Sequence, residues 1–568
     1  MAFTYENEGF GTSNQPFQSR GISPKTKIVS GFTPATLSDN QKPLFEELEH
    51  IVHTSSIHGQ PVLSVDSERA VYSQDTASWK PSYSNSKLLY REVFTGLGHG
   101  IARLFCLRLN TLGCSTGEQT ALDNISEQIF QFQDLSAFEP SRLRILQPTL
   151  GDLEVQQWFD IWIAHHPLSF ILSKALLLDR YRKGSCDGDL LAIILAEASL
   201  FLDSEDIRDV DAVFEAARTN LLPRMTTSIS LSTAQVLVLL GWHDFCTDRP
   251  RQGYRYLELA RKIVLRRLRS PSQGLPGEQF LDGIDVRSIE TELAQNIYWF
   301  TFSISLWLSL QLSTPAIPTI TPPSTVPLPV SDPSQSAVHR LDSSFGNVAS
   351  LVAQTTSIRE LWSLAHLAAT VAPIFKHLLL HHHHASASAS LPPHANIHSI
   401  LAPLHHSNIP SQTQHTTNPS LTTTHLAHQL LAIHIAFLRP STDDDDNNNN
   451  TQQQRPPSAH IVRATSILHS IEAFLASAQT LQRQQAAAQQ NWLGDGGDGD
   501  GQTARWLALG LDTCGRALVV LGRDGDGDGR SEVLGAFARR LLEVGEMRAM
   551  RGWLGLGGVR KRLGEVGG

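Results

Sequence analysis

Three groups of side chains in this chain have types that could do chemistry. His381, His382, His383 and His384 stand in a row, and His394, His398, His405 and His406 follow, a density of imidazoles able to hold a transition ion. A specific zinc site, however, needs three or four ligands fixed on defined elements, so the tract reads as a low-complexity insert. Asp524, Asp526, Asp528 and Gly529 imitate the opening of an EF-hand calcium loop, but its twelfth position, where a bidentate glutamate belongs, is Gly535. The Gly-Asp pattern recurs at Asp495–Gly501, which again favours an insert. His165 and His166 are adjacent, yet no serine elbow, paired acid or Cys-His signature accompanies them, and core packing is the better reading. No catalytic, cofactor-binding or metal-ligating residue is assigned on these grounds, and no cofactor is expected.

Arg261, Lys262, Arg266, Arg267 and Arg269 form a basic stripe that suits either a nuclear-import signal, a DNA-touching patch or the solvated face of an amphipathic helix; the last is preferred. The whole-chain charge of −9 argues against DNA binding through an overall field, so any nucleic-acid contact has to be local. Five scattered cysteines, Cys106, Cys114, Cys186, Cys246 and Cys514, point to thiols in a reducing compartment and not to a disulfide framework. The start of the chain has no basic stretch followed by an apolar one, and the apolar run Ile297–Leu312 is shorter than the ~20 residues of a membrane span and interrupted by Thr301, Ser303, Ser305, Ser309 and Gln311. A soluble intracellular protein is expected.

The elements that must position these residues are helical. With hydrophobic residues at 41% and charged residues at 18%, a sizeable core forms. Residues 1–86 are rich in Ser, Thr, Gly, Pro, Asn and Gln and read as a largely disordered N-terminal region. Helical periodicity sets in with Leu89, Val93, Leu97, Ile101, Leu104 and Phe105, and strong segments follow at 151–181, 189–202 and 210–222. Ser232–Phe245 and Gly253–Arg269 predict two antiparallel helices joined by a short polar break. In 300–312, Phe300, Phe302, Ile304, Leu306, Leu308 and Leu310 alternate with Thr301, Ser303, Ser305, Trp307 and Ser309, a period-2 pattern that favours a strand, although no partner strand is evident; a buried helix is kept there on the family resemblance named below. Seven prolines between Pro315 and Pro333 open a linker placed at 330–356. Helices resume at 357–380, 426–440, 460–481 and 504–522. The expectation is an all-α multi-helix bundle, its first part at 87–329 and its second at 357–568 with His-, Asp/Asn- and Gly/Asp-rich inserts.

Several landmarks occur in order. Trp158, Phe159 and Trp162 lead into His165, His166 and Pro167; Leu239, Leu240, Gly241 and Trp242 precede a short loop; Tyr256, Leu257 and Ala260 follow; Glu290 or Glu292 precedes Tyr298 and Trp299; Leu312 to Pro315 closes the series, echoed by Val326–Pro329. The set resembles the regulatory middle domain of zinc-cluster-type, fungal-specific transcription factors. Glu258 stands where that family commonly has a glycine, and Ala294, Gln295 and Asn296 where it has a basic run. The family's DNA-binding module takes six cysteines in two Cys-x2-Cys-x6-Cys groups, and this sequence contains no Cys-x2-Cys.

The resemblance implies a nuclear transcription regulator without chemistry of its own, whose partners are the transcription machinery or co-regulator proteins. DNA would be reached only indirectly or through a partner, with a small-molecule effector and a second copy of the chain as further candidates and no membrane. Trp242, His243, Tyr298 and Trp299 are candidates to line an effector pocket, although aromatics at such spacing are more often core. The alternative is a helical scaffold without a transcriptional role; an enzyme ranks last.

Overall fold

A computed structural model of the chain describes residues 83–109, 151–201, 210–227, 229–247, 249–269, 280–312, 326–345, 347–384, 419–437, 458–491, 499–523 and 528–545, together with a few single positions. The disordered reading of 1–86 falls almost wholly outside them, as do the histidines from His394 to His406. Fourteen helices and one two-stranded hairpin make up the described residues. They run α1 (Tyr83–Leu109), α2 (Asp152–His165), α3 (Lys174–Arg182), α4 (Gly188–Phe201), α5 (Val210–Thr227), α6 (Leu231–Cys246), α7 (Pro250–Arg269), β1 (Phe280–Leu281), β2 (Ile284–Asp285) and α8 (Val286–Leu312). The second part comprises α9 (Ala337–Phe345), α10 (Val348–His384), α11 (Pro419–Ala436), α12 (Ser458–Asn491), α13 (Gly499–Arg523) and α14 (Asp528–Gly545). The all-α expectation holds.

α6 and α7 are the predicted antiparallel pair. Ser230 starts α6 with a capping box: its hydroxyl accepts from the Thr233 amide and the Thr233 hydroxyl accepts from the Ser230 amide. Pro250 opens α7 at the position where a missing N–H costs nothing. The helices approach so closely at Gly241 and Gly253 that a Cβ on Gly253 would lie 2.3 Å from the Phe245 amide nitrogen and 2.5 Å from the Gly241 carbonyl oxygen. Gly253, four residues after Arg249, thus does the work of close approach in a helix whose Glu258 had drawn attention as the missing glycine.

The alternating stretch at 300–312 is helix, inside α8. Both of its sets are buried, because Thr301, Ser303, Ser305 and Ser309 donate their hydroxyls to the carbonyls of Ile297, Trp299, Thr301 and Ser305, one turn back. Polar side chains silenced in this way let a central helix be enclosed all round. Arg108 of α1 closes its end, Nε donating to the Leu310 carbonyl at 2.8 Å and Nη2 to that of Gln311 at 2.8 Å.

The linker expected at 330–356 is corrected. Residues 337–345 form α9, and α10 begins at Val348 and not at Ser357, running on through His381–His384. Local caps account for both starts: Asn347 Oδ1 accepts from the Ala349 amide at 3.1 Å, while the Ser336 hydroxyl oxygen accepts from the His339 amide at 3.0 Å. Of the described prolines before them Pro329 is buried, and the carbonyl of the exposed Pro327 accepts from Trp299 Nε1 at 2.6 Å. Two further elements were not expected. One is α14, which starts at Asp528 in the Gly-Asp run. The other is the hairpin before α8, whose turn residues Asp282 and Gly283 sit at φ 51° and 74°, the left-handed pair a tight two-residue hairpin requires.

Candidate functional site

The organising feature of the interior is the turn that follows α2, His166 to Ser173, which includes a short 3-10 turn at Ser169–Ile171. Beyond that single 3-10 turn its backbone is neither α-helix nor strand, and the carbonyls of Phe170, Ile171 and Leu172 need partners brought from elsewhere. Three amide side chains on three helices supply them in sequence: Asn296 of α8 donates to Phe170 at 3.0 Å, Gln235 of α6 to Ile171 at 2.7 Å, and Gln354 of α10 to Leu172 at 3.0 Å. All three amides are buried. Asn296 lies in the segment where the family carries basic residues, and here it is a donor to the turn.

The turn's ends are held by carboxylates. Asp342 of α9 accepts from the Ser173 hydroxyl at 2.7 Å and from the amides of Ala175 (2.9 Å) and Lys174 (3.2 Å), and also from Gln354 Nε2 at 3.1 Å. It therefore caps α3 from 168 residues away in sequence. Burial pushes the Asp342 carboxyl above its ordinary pKa, with these four donors pulling the other way. Lys174, 2% exposed, places Nζ 2.6 Å from Asp160 Oδ1, which also accepts from Ser350 at 2.9 Å. Glu292 of α8 repeats the device, accepting from the Ser336 hydroxyl and from the amides of Ala337 and Val338 at the start of α9. Its neighbour Glu290 accepts from Arg180 of α3 and Arg267 of α7. Of the two acidic candidates for one landmark, then, both serve: Glu292 as a cap and Glu290 as a cross-tie.

At the other end of the turn, His166 stacks on Trp162 with ring centroids 4.5 Å apart, and its Nδ1 accepts from the Leu168 amide at 3.1 Å. That bond places the ring proton on Nε2, which lies 3.5 Å from Glu197 Oε2; the same oxygen accepts from Trp162 Nε1 at 2.8 Å. Tyr90 packs edge-on against His166, Trp242 and His243. Its oxygen is 2.6 Å from His243 Nδ1. Burial, then Arg218 and Arg249, lowers the His243 pKa to about 3, while burial raises that of Tyr90, so the phenol donates and the neutral imidazole accepts. Next to it Asp244 pairs with Arg218, which with Arg249 shares Glu215. Burial lifts Asp244 to about 6 against the pull of both arginines.

His166, Trp242, Tyr298 and Trp299 are thus buried members of this interior, and His243 bonds into it. His165, by contrast, lies exposed at the end of α2 with its ring 5.6 Å from that of Phe201. Glu197 Oε1, Trp242 Nε1 and the Tyr298 hydroxyl have no hydrogen-bond partner among the described residues. The basic stripe divides: Arg261 is buried and gripped by Glu258, Arg267 turns to Glu290, and Lys262, Arg266 and Arg269 stay exposed, so the solvated-face reading holds for three of its five members. Among the described residues no group of three or more His, Cys, Asp or Glu is arranged for a metal, and no helix is long and apolar enough to cross a membrane. Chemically, the arrangement positions helices: its acids and bases hold backbone amides, hydroxyls and one another in an interior closed to water.

The amide and carboxylate ties all converge on the segment from the aromatic-rich helix to the proline strip, the same segment that carries the landmarks. A family model described as fungal specific transcription factor domain matches residues 156–495, more than half of the chain, and the chain belongs to that family. Membership places it among regulators and not enzymes. Among curated proteins it is similar to transcription factor pytR of Aspergillus terreus, 32% identical over 313 residues that cover 51% of this chain and 36% of that protein. It is also similar to transcription factor pynR of Aspergillus niger, 28% identical over 222 residues, 39% of this chain and 25% of that protein. The matched segments thus span about a third and a quarter of these relatives. No solved structure matches.

Proposed function

We propose that this chain is the regulatory body of a nuclear transcription regulator, acting through contacts with co-regulator proteins or the transcription machinery and reaching DNA only through another module or partner. A second copy of the chain and a small-molecule effector are the remaining candidates for what it binds. The body is read as one unit in two sequence halves, 87–329 and 357–568. The observation that carries this reading is the family match over 156–495 on a body whose buried titratable groups are used to hold helices together. A domain built that way offers surfaces, and its output is a contact made or broken.

The test is a fusion of the full chain to a foreign DNA-binding domain, read on a reporter gene in a fungal host. Expression is expected to shift severalfold in either direction relative to the DNA-binding domain alone. A fusion that is nuclear, intact and silent would favour a scaffold without a transcriptional role.

A further inference from the structure

Five acidic side chains are buried among the described residues, and four of them are answered. Asp342 accepts from four donors and Glu292 from three, while Asp244 and Asp512 pair with Arg218 and Arg516. Glu197 of α4, 1% exposed, is the exception. Its Oε2 has the Trp162 indole nitrogen at 2.8 Å and His166 Nε2 at 3.5 Å, its Oε1 has no hydrogen-bond partner, and no lysine or arginine pairs with it among the described residues. A buried carboxylate left in that state is costly unless a cation or further donors meet it.

The surroundings of Glu197 are aromatic. The Trp162 ring stacks on that of His166 with centroids 4.5 Å apart, and Tyr90 and Phe201 stand edge-on to His166 at 5.7 and 6.3 Å. Trp242 packs against the same Tyr90 at 6.2 Å, and its Nε1 is a second buried group without a hydrogen-bond partner. Rings of this kind attract a cation to their faces but give it no counter-charge. The cluster therefore combines one unanswered anion, a wall of π-systems and one unbonded indole donor.

We propose that Glu197 is the counter-ion of a small organic cation: a primary amine whose ammonium group donates to Oε1 and whose body, lying among the rings of Tyr90, Trp162 and Trp242, carries an oxygen that accepts from Trp242 Nε1. A metal ion fits less well, because hard cations take six or more oxygen ligands and no metal-holding group of His, Cys, Asp or Glu occurs among the described residues. Since Glu197 and Trp242 are both closed to solvent, the amine enters when the helices around them open locally. This assigns a chemical class to the small-molecule effector of the regulatory reading above, and rests on that reading only for what the binding reports.

Calorimetric titration of the full chain with tyramine, and with ethanolamine as a smaller amine carrying the same two groups, tests it. The neutral counterpart of tyramine, 4-(2-hydroxyethyl)phenol, in which a hydroxyl replaces the amine, is the comparison. Saturable binding of tyramine is expected, with the alcohol weaker by about tenfold or more. Glu197→Gln keeps the shape of the side chain and removes its charge, and should weaken the amine by about tenfold or more. Trp242→Phe should weaken tyramine severalfold, and Glu154→Gln, at an exposed acid of α2, not at all. Thermal melts verify the fold of each variant, and Trp242→Phe together with the ratio of amine to alcohol decides if Glu197→Gln fails to fold. Binding of neither amine, equal binding of tyramine and the alcohol, or binding indifferent to both interior variants would overturn the proposal. Tyramine binding at Glu197 by a chain silent in the reporter would keep the site and remove the transcriptional reading; an active reporter fusion that binds no amine would do the reverse.

Discussion

The region around the turn at 166–173 and the layer formed by α11–α14 both have buried interiors but are held by different forces. Around the turn, Asp342, Glu292, Asn296, Gln235 and Gln354 each bond a specific backbone group of another element, so the helices can meet in one register only. In the second layer, Leu426, Leu430, Leu431, Ile471, Phe474, Leu475, Leu507 and Leu511 bury apolar surface, with side-chain ties beside them. They include Thr111 with His434 at 2.9 Å, Arg505 with Glu92 at 3.0 Å and Arg540 with Glu472 at 2.9 Å. Apolar packing is non-directional and tolerates shifts; a buried carboxylate facing four donors does not. The difference teaches that fold specificity in this chain sits around that turn, in ties drawn from α2 to α10, whereas α11–α14, among which the Asp/Asn- and Gly/Asp-rich inserts fall, ask mainly for hydrophobic residues at helical spacing.

The comparison breaks most sharply at Asp342. Replacing it with Ala strands the Ser173 hydroxyl and the amides of Lys174 and Ala175, and chemical denaturation should show a loss of about 4 kcal/mol, the range for stripping a buried charged partner. A volume-conserving change in the other layer, Leu430→Met, should cost about 1 kcal/mol. Equal costs would erase the distinction.

A second way to sharpen it uses pH. Asp244, raised to about 6, contributes stability that is fully present below its unfolded pKa near 3.8 and is lost as pH rises through 6. His243, lowered to about 3, contributes stability that is present above 6.5 and is lost as pH falls toward 3. Between pH 4 and 6 these neighbours offset each other. In Asp244→Asn the compensation disappears, so thermal melts should show the advantage of the unmodified chain over the variant growing by roughly 2 kcal/mol as pH falls from 6 to 4. A constant difference would mean Asp244 is not the group titrating. The smallest effect belongs to the periphery: Arg540→Ala, at a pair exposed by 38% and 52%, should change stability by less than about 0.5 kcal/mol.

Much of the helical order was legible, because apolar periodicity is a local signal. The α6–α7 pair and the landmark series from Trp158 to Pro329 followed from residues close in sequence, whereas helix at 300–312 was read against the local alternation, on the family resemblance. The turn's role was not, since Asn296, Gln235 and Gln354 are lone amides in three separate helices and match no pattern until the chain is folded. α9 was missed for a related reason: it is a nine-residue helix whose N-terminus is capped by Glu292, 44 residues upstream of Ser336. Other misses were avoidable. Asp282-Gly283 is a strong hairpin signal, Ser336 and Asn347 are ordinary helix starters, and a helical projection of α7 would have separated Arg261 and Arg267 from the exposed Lys262, Arg266 and Arg269.

Native-state hydrogen exchange tests the central claim most directly. The amides of Leu168, Lys174 and Ala175, bonded to His166 and Asp342, should exchange only through global unfolding, while amides in the cores of α11 and α13 should exchange through openings of lower free energy. Equal protection in the two regions, or earlier exchange around the turn, would contradict the account that its buried polar ties specify the fold.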